Sequence, residues 1–117
     1  MIPIAIPARI YLSTKPVDFR KGVDGLCGVV TDYLGHNPLD GSLFVFYNRG
    51  RNKLKMLLWA SDGFWLLYRQ LEQGTFEFPK AEEHAVSYTL SHEQLLCILS
   101  GIVLRSVRYR KRYKITG

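Results

Sequence analysis

The sequence predicts a single α+β domain: an antiparallel β-meander sheet of four to five strands with two α-helices packed on one face. Three observations carry that prediction. Two stretches, one on each side of the chain's middle, place apolar residues at helical spacing. Between them, residues 43–78 break into short β-rich runs separated by turn residues. The chain has 117 residues, 47% of them hydrophobic and 13% aromatic, enough for one packed core and too apolar for a disordered segment. The domain spans residues 1–104, and residues 105–117 form a basic C-terminal strand or arm.

The elements follow in order. Residues 9–12 read as a short strand. Val23, Leu26, Cys27, Val30 and Leu34 fall on one face of a helix, with Asp18 as a cap before it and Gly35 as its left-handed end. Gly22, Gly25 and Gly28 lie three apart on a neighbouring stripe, which suits close packing against a sheet or a ligand groove. Leu43-Phe44-Val45-Phe46-Tyr47 is a buried-type strand, residues 48–52 a turn with Gly50 at its centre, and residues 53–59 the returning strand. A second turn at 61–63 leads into a strand over 64–71. Thr75-Phe76-Glu77-Phe78 is a fourth run, ended by Pro79, and residues 85–89 add an edge strand. Ser91-His92-Glu93-Gln94 has the form of a capping box, flanked by the staple pair Leu90 and Leu95. Leu95, Leu96, Leu99, Ile102 and Val103 form the helix's apolar face, and Gly101 marks its end.

Charge is unevenly placed. Residues 105–114 carry Arg105, Arg108, Arg110, Lys111, Arg112 and Lys114 with no acid, which equals the net charge of the whole chain, +6. Arg108, Arg110, Arg112 and Lys114 alternate with Val107, Tyr109, Tyr113 and Ile115, and an extended chain turns such positions to opposite faces. Lys111 interrupts the pattern. The segment is either a nucleic-acid contact or a solvated tail. A second basic cluster, Arg49, Arg51, Lys53 and Lys55, sits at the hairpin turn, where it is either a grip for phosphates or a solvated loop. Tyr47, Trp59, Trp65 and Tyr68 on the neighbouring strands are either core or stacking platforms for unpaired bases.

No catalytic constellation emerges. Asp18, Asp24, Asp62 and Glu72 show no sign of converging on a metal, and Walker, dinucleotide and nucleophile motifs are absent from the sequence. Cys27 and Cys97 are isolated and read as small core hydrophobes. With His36, His84 and His92 they form no metal-ligand spacing, so neither metal nor other cofactor is expected. No apolar run is long enough to span a bilayer, and the N-terminal residues do not have the form of a signal peptide. A cytoplasmic, non-membrane protein is the expectation, with its oligomeric state open.

Three stretches together resemble a known family. They are Asp18-Phe19-Arg20-Lys21-Gly22-Val23-Asp24-Gly25-Leu26, Leu43-Phe44-Val45-Phe46-Tyr47-Asn48-Arg49-Gly50-Arg51, and Lys55-Met56-Leu57-Leu58-Trp59 running on to Gly63-Phe64-Trp65-Leu66-Leu67-Tyr68-Arg69-Gln70-Leu71-Glu72-Gln73-Gly74. The chain is similar to the TnpB-type accessory proteins, products of the second reading frame, of bacterial insertion-sequence family sixty-six. These differ from the longer RNA-guided nucleases that share the label. The resemblance implies a protein encoded beside a transposase, associated with transposition, and without catalytic residues to carry over. Asp18, Arg20, Lys21, Gly22, Asp24 and Gly25 form a family motif of unknown role. The family's Asp after the tryptophan is Ala60 here, and its Lys-Arg-Leu-Glu is Arg69-Gln70-Leu71-Glu72.

The expected function is therefore a non-catalytic accessory factor that binds DNA, at element ends or target, with weak sequence preference. Its contacts would be Arg49, Arg51, Lys53 and Lys55 with the basic C-terminus. A protein-interaction adaptor for the element's transposase and a single-strand DNA or RNA binder are the alternatives.

Overall fold

The structure is a computed structural model that describes residues 5–101. Its centre is a five-stranded sheet of order β4-β3-β2-β1-β5. The strands are β1 (Ile10–Ser13), β2 (Leu43–Tyr47), β3 (Lys53–Ala60), β4 (Gly63–Gln70) and β5 (Ser87–Leu90). The hairpins β2–β3 and β3–β4 form where alternation and turn residues place them, with Leu43 opposite Leu58 and Lys53 opposite Gln70.

The sheet is mixed rather than wholly antiparallel. β1 runs parallel to β2, with Ile10 beside Leu43 and Leu12 beside Val45, and antiparallel to β5. A helical crossover separates β1 from β2, and only such a long connection lets consecutive strands run the same way. Residues 75–78 join no ladder. Their two rings are satisfied by packing instead: Phe76 is fully buried, and Phe78 stacks on Tyr47 at 4.4 Å between centroids.

Helix α1 (Val23–Val29) continues as a π-helical turn over Val30–Leu34, and Gly35, at φ 71°, closes it by donating to the Val30 carbonyl. Gly22 is the N-cap, and Asp18 makes no cap bond to the helix. Helix α2 (His92–Ser100) begins with the expected capping box. The Ser91 hydroxyl accepts from Gln94 N at 3.0 Å, and Gln94 Oε1 accepts from Ser91 N at 2.8 Å. Gly101, at φ 82°, ends it. Leu95 and Ile98 form its buried stripe, while Leu96 is exposed. Ile102 and Val103 lie outside the described residues.

The two helices cover opposite faces of the sheet, not one. Leu26, Val30 and Leu34 of the first pack on Phe44, Phe46 and Leu57. Leu95 and Ile98 of α2 pack on Ile10, Leu12, Leu43, Val45, Leu54 and Leu58, with Phe76 alongside. Alternate residues of β2 therefore enter two different cores, which is why all five of its side chains are buried. The glycine stripe is not a seat for the sheet. A Cβ at Gly22 or Gly28 would meet nothing within 4 Å, and one at Gly25 would meet the Lys21 side chain at 2.9 Å.

Candidate nucleic-acid interface

Because β1 and β2 are parallel, their carboxyl ends lie side by side, and the segments that leave them share one end of the sheet. Three segments meet there: the loop after β1, the β2–β3 turn, and the strap of residues 71–86 that leads to β5.

Asn48 builds the turn. Its Oδ1 accepts from Asn52 N at 3.1 Å and Lys53 N at 3.0 Å, and its Nδ2 donates to Asn52 Oδ1 at 2.7 Å. Its carbonyl accepts from Arg51 N at 3.0 Å. The left-handed residue of the turn is Arg51, at φ 58°, although glycine stands next to it at position 50. Arg49 and Arg51 are exposed as a result. The strap fixes the turn from the side, with Leu71 N donating to Asn52 O at 2.8 Å and Phe76 N to Arg51 O at 2.7 Å. The loop after β1 is tied down by Val17 N, which donates to Tyr47 O at 2.9 Å, and by the Ser13 hydroxyl, which donates to Lys15 O at 2.7 Å.

This sheet end thus presents Arg49 and Arg51 together with two cations the sequence reading did not single out. Exposed Lys15 leaves the β1 loop, its Nζ 5.7 Å from the centroid of the Tyr33 ring. Exposed Lys80 comes from the strap, and with Arg51 it lines a cleft of about 310 Å³ beside Tyr47, Phe78 and Tyr88. The parallel β1–β2 pairing puts the β1 loop at the same sheet end as the turn, and Lys15 there shares a surface depression with Tyr33 and Glu82. Burial holds the Tyr47 phenol above its ordinary value despite the nearby Arg51 charge, so the ring stays neutral. The strap also carries Glu77, Glu82 and Glu83 at the surface, which bounds the cationic area on that side.

Lys55 does not belong with the turn cations. It is 8% exposed, and its Nζ donates to the carbonyls of Phe19 and Lys21, both at 2.9 Å. The ammonium also lies 4.9 Å from the Phe19 ring centroid and 5.7 Å from that of Tyr68. Its position inside β3, not on the turn, places it under the Asp18–Gly22 loop. Lys53 is half-buried at the strand's first residue.

The motif of unknown role is that loop and the start of α1. Asp18 accepts from Arg20 N at 2.9 Å and holds the Arg20 guanidinium through Nη2 at 2.7 Å and Nε at 3.0 Å. Those bonds lower its carboxyl to about 2 from an ordinary 3.8. Lys21 and Gly22 are exposed, and Asp24 lies in the first turn of α1. The Asp18 charge is therefore answered within its own loop, next to Arg49, with which residues 16–19 share a surface depression.

Trp59 and Trp65 are remote from the turn. They sit near the β3–β4 connection, with Trp59 opposite Phe64 and Trp65 opposite Leu58, six and five residues along β3 from Lys53. That is roughly 17–20 Å at strand rise, so they cannot interleave with the turn cations. Asp62 is at that same far end, and among the described residues no group of three His, Cys, Asp or Glu is placed to hold a metal. Cys27 and Cys97 are free and half-buried, and burial raises the Cys27 thiol with help from the Asp24 carboxylate. No helix among the described residues is long and apolar enough to cross a membrane. The expected contacts Arg105, Arg108, Arg110, Lys111, Arg112 and Lys114 lie outside the described residues.

Fold and site together define a small mixed-sheet domain with a helix on each face and a cationic end. The chain belongs to the IS66 Orf2-like protein family, whose model matches residues 8–109. It is therefore a member of an insertion-sequence accessory family. Two relatives come from Sinorhizobium fredii (strain NBRC 101917 / NGR234). The uncharacterized protein y4hO is 37% identical over 102 residues, 87% of each chain. The uncharacterized protein y4jC is 34% identical over 94 residues, 80% of this chain and 79% of its own. No solved structure matches the chain.

Proposed function

We propose that this protein is a non-catalytic accessory factor of insertion-sequence transposition that binds DNA through the cationic end of its sheet. One observation carries the reading. Residues 5–101 contain ten Lys and Arg against ten Asp and Glu, so that segment is neutral as a whole. Yet the β2–β3 turn holds Arg49 and Arg51 exposed, with no acid between residues 41 and 61, and Lys80 lines the cleft beside Arg51. A local cationic crest on a neutral body suits a polyanion. The six cations of residues 105–114 would extend the contact. Such contacts grip phosphates and do not read bases, so sequence preference is weak.

The test is a titration of the full chain against a duplex carrying the element's terminal repeat, over a salt series, with scrambled duplex as competitor. The logarithm of affinity falls against the logarithm of salt by about 0.9 per phosphate contact. A slope near zero, or no binding at low salt, would sink the reading.

A second reading rests on β4. Among the described residues this edge strand has a neighbour on one side only, and it carries half-exposed Phe64, Trp65, Leu66 and Leu67 with exposed Tyr68. Such an edge can accept a strand from a protein partner, the transposase being the candidate. Binding of transposase with little salt dependence, weakened by Trp65→Ala, supports that adaptor role. For the single-strand reading Trp59 and Trp65 are far from the turn cations, whereas Tyr47 and Tyr68 lie at the turn's end of their strands.

A further inference from the structure

The cleft between Arg51 and Lys80 has features that phosphate gripping does not need. Its volume is about 310 Å³, near the lower limit of small-ligand sites. One wall is aromatic: Tyr47 and Phe78 stack at 4.4 Å and 28°, and Tyr88 also lines the space. Both cations are exposed, whereas Phe78 and Tyr88 are half-buried and Tyr47 is buried. The wall is rigid. Phe76, two residues before Phe78, is fully buried and tied to Arg51 O at 2.7 Å. Arg51 itself is held in a left-handed conformation by the Asn48 turn, a disfavoured state for a residue with a side chain.

From this arrangement we infer that the cleft is a subsite for one unpaired nucleotide of a DNA strand, its base against the Phe78–Tyr47 wall and its phosphate between Arg51 and Lys80. An aromatic wall beside cations is the combination that holds unpaired bases, and bases stacked inside a duplex cannot offer a free face to it. Two of the cleft's hydroxyls donate within the protein, and that of Tyr88 accepts and keeps its own proton. Ser13 Oγ donates to Lys15 O, Thr14 Oγ1 donates to Ala85 O at 2.7 Å, and Tyr88 OH accepts from Gln94 Nε2 at 3.5 Å. Stacking on an aromatic face is tolerant of base identity, so the subsite takes any of the four bases. The inference rests on the DNA-binding reading and adds to it a requirement for an unpaired nucleotide.

Two probes test it with the full chain: a blunt duplex, and the same duplex with one unpaired 5-iododeoxyuridine at an end. The overhanging duplex should bind roughly 5- to 150-fold tighter, the factor that corresponds to one stacked base. On irradiation the iodinated base should crosslink to Phe78, Tyr47 or Tyr88. Phe78→Leu should abolish the preference and Phe78→Tyr retain it. Lys80→Ala, on the exposed strap, should reduce it whether or not Phe78→Leu folds. Equal binding of the two duplexes would overturn the subsite and leave the DNA-binding reading standing. A preference untouched by Phe78→Leu and Lys80→Ala, or crosslinks elsewhere, would likewise overturn this site. Failure of both probes to bind would remove the subsite and the DNA-binding reading together.

Discussion

The Lys55 ammonium sits 4.9 Å from the centroid of the Phe19 ring while it donates to the Phe19 carbonyl at 2.9 Å. One residue of β3 thereby holds the loop that precedes α1 from two sides. A second bond, to Lys21 O at 2.9 Å, completes the hold. Two of the three stretches that mark the family are thus joined through one buried cation, and no carboxylate is involved. Lys55 has the same charge as the turn residues and the opposite role. Lys55→Met keeps the stem and removes the donors, leaving two carbonyls without this partner. The expected cost is about 2–4 kcal/mol, since bonds to a charged donor are stronger than average and orphaned carbonyls are costly. Urea denaturation measures it. The salt slope of DNA binding should not change for the fraction that is folded. A lower slope at unchanged stability would mean Lys55 reaches phosphate after all.

The Asp18–Arg20 pair predicts a pH signature. The carboxyl is held at about 2, chiefly by the side-chain bond from Arg20 and then by the backbone bond. A depressed carboxylate contributes to stability above its unfolded value and loses that contribution as pH falls through its folded one. The window is therefore about pH 4 down to 2. Carboxyl-carbon NMR should place the Asp18 midpoint near 2, and Arg20→Gln should move it back toward 3.8. The loop is exposed, so the signature is a local titration and not a collapse of the fold.

How much of this was legible beforehand depends on how local each cause is. The α2 capping box, the left-handed ends at Gly35 and Gly101, and both β2–β3–β4 hairpins come from residues a few positions apart. The direction of β1 does not, because its partner Leu43 lies 33 positions beyond Ile10, across a helix. The side of each helix was open for a different reason: an apolar stripe says that a helix packs, not on which face. One signal did exist. Leu43-Phe44-Val45-Phe46-Tyr47 is apolar at every position, and a strand apolar on both faces demands cover on both. Lys55 escaped a local reading because what decides its role comes from carbonyls 36 and 34 residues away.

Gly28 offers a stabilising change. It lies inside α1, and a Cβ there meets nothing within 4 Å. Gly28→Ala removes the helix-interior cost of glycine, about 1 kcal/mol, and narrows the unfolded ensemble. Thermal melting should rise by roughly 4–8 °C for that gain in a domain of this size. Gly25→Ala should gain less or lose stability, because its Cβ would meet the Lys21 side chain at 2.9 Å.

Arg51 separates charge from conformation. The residue is left-handed at φ 58°, which costs a side-chain-bearing residue roughly 1 kcal/mol relative to glycine. Arg51→Gly should therefore stabilise the domain by up to about 1 kcal/mol while it removes the proposed phosphate contact. Arg51→Ala removes the same charge and keeps the strain, so its stability should stay near that of the parent. Both should lower the slope of log affinity against log salt by about 0.9, as should Arg49→Ala, and on all duplex sequences alike. Arg51 also borders the cleft beside Phe78, which Arg49 does not. On the overhanging duplex the two variants must then diverge: Arg51→Gly reduces the preference over the blunt duplex, and Arg49→Ala leaves it intact. Equal behaviour of the two on both duplexes would show that Arg51 acts only as surface charge.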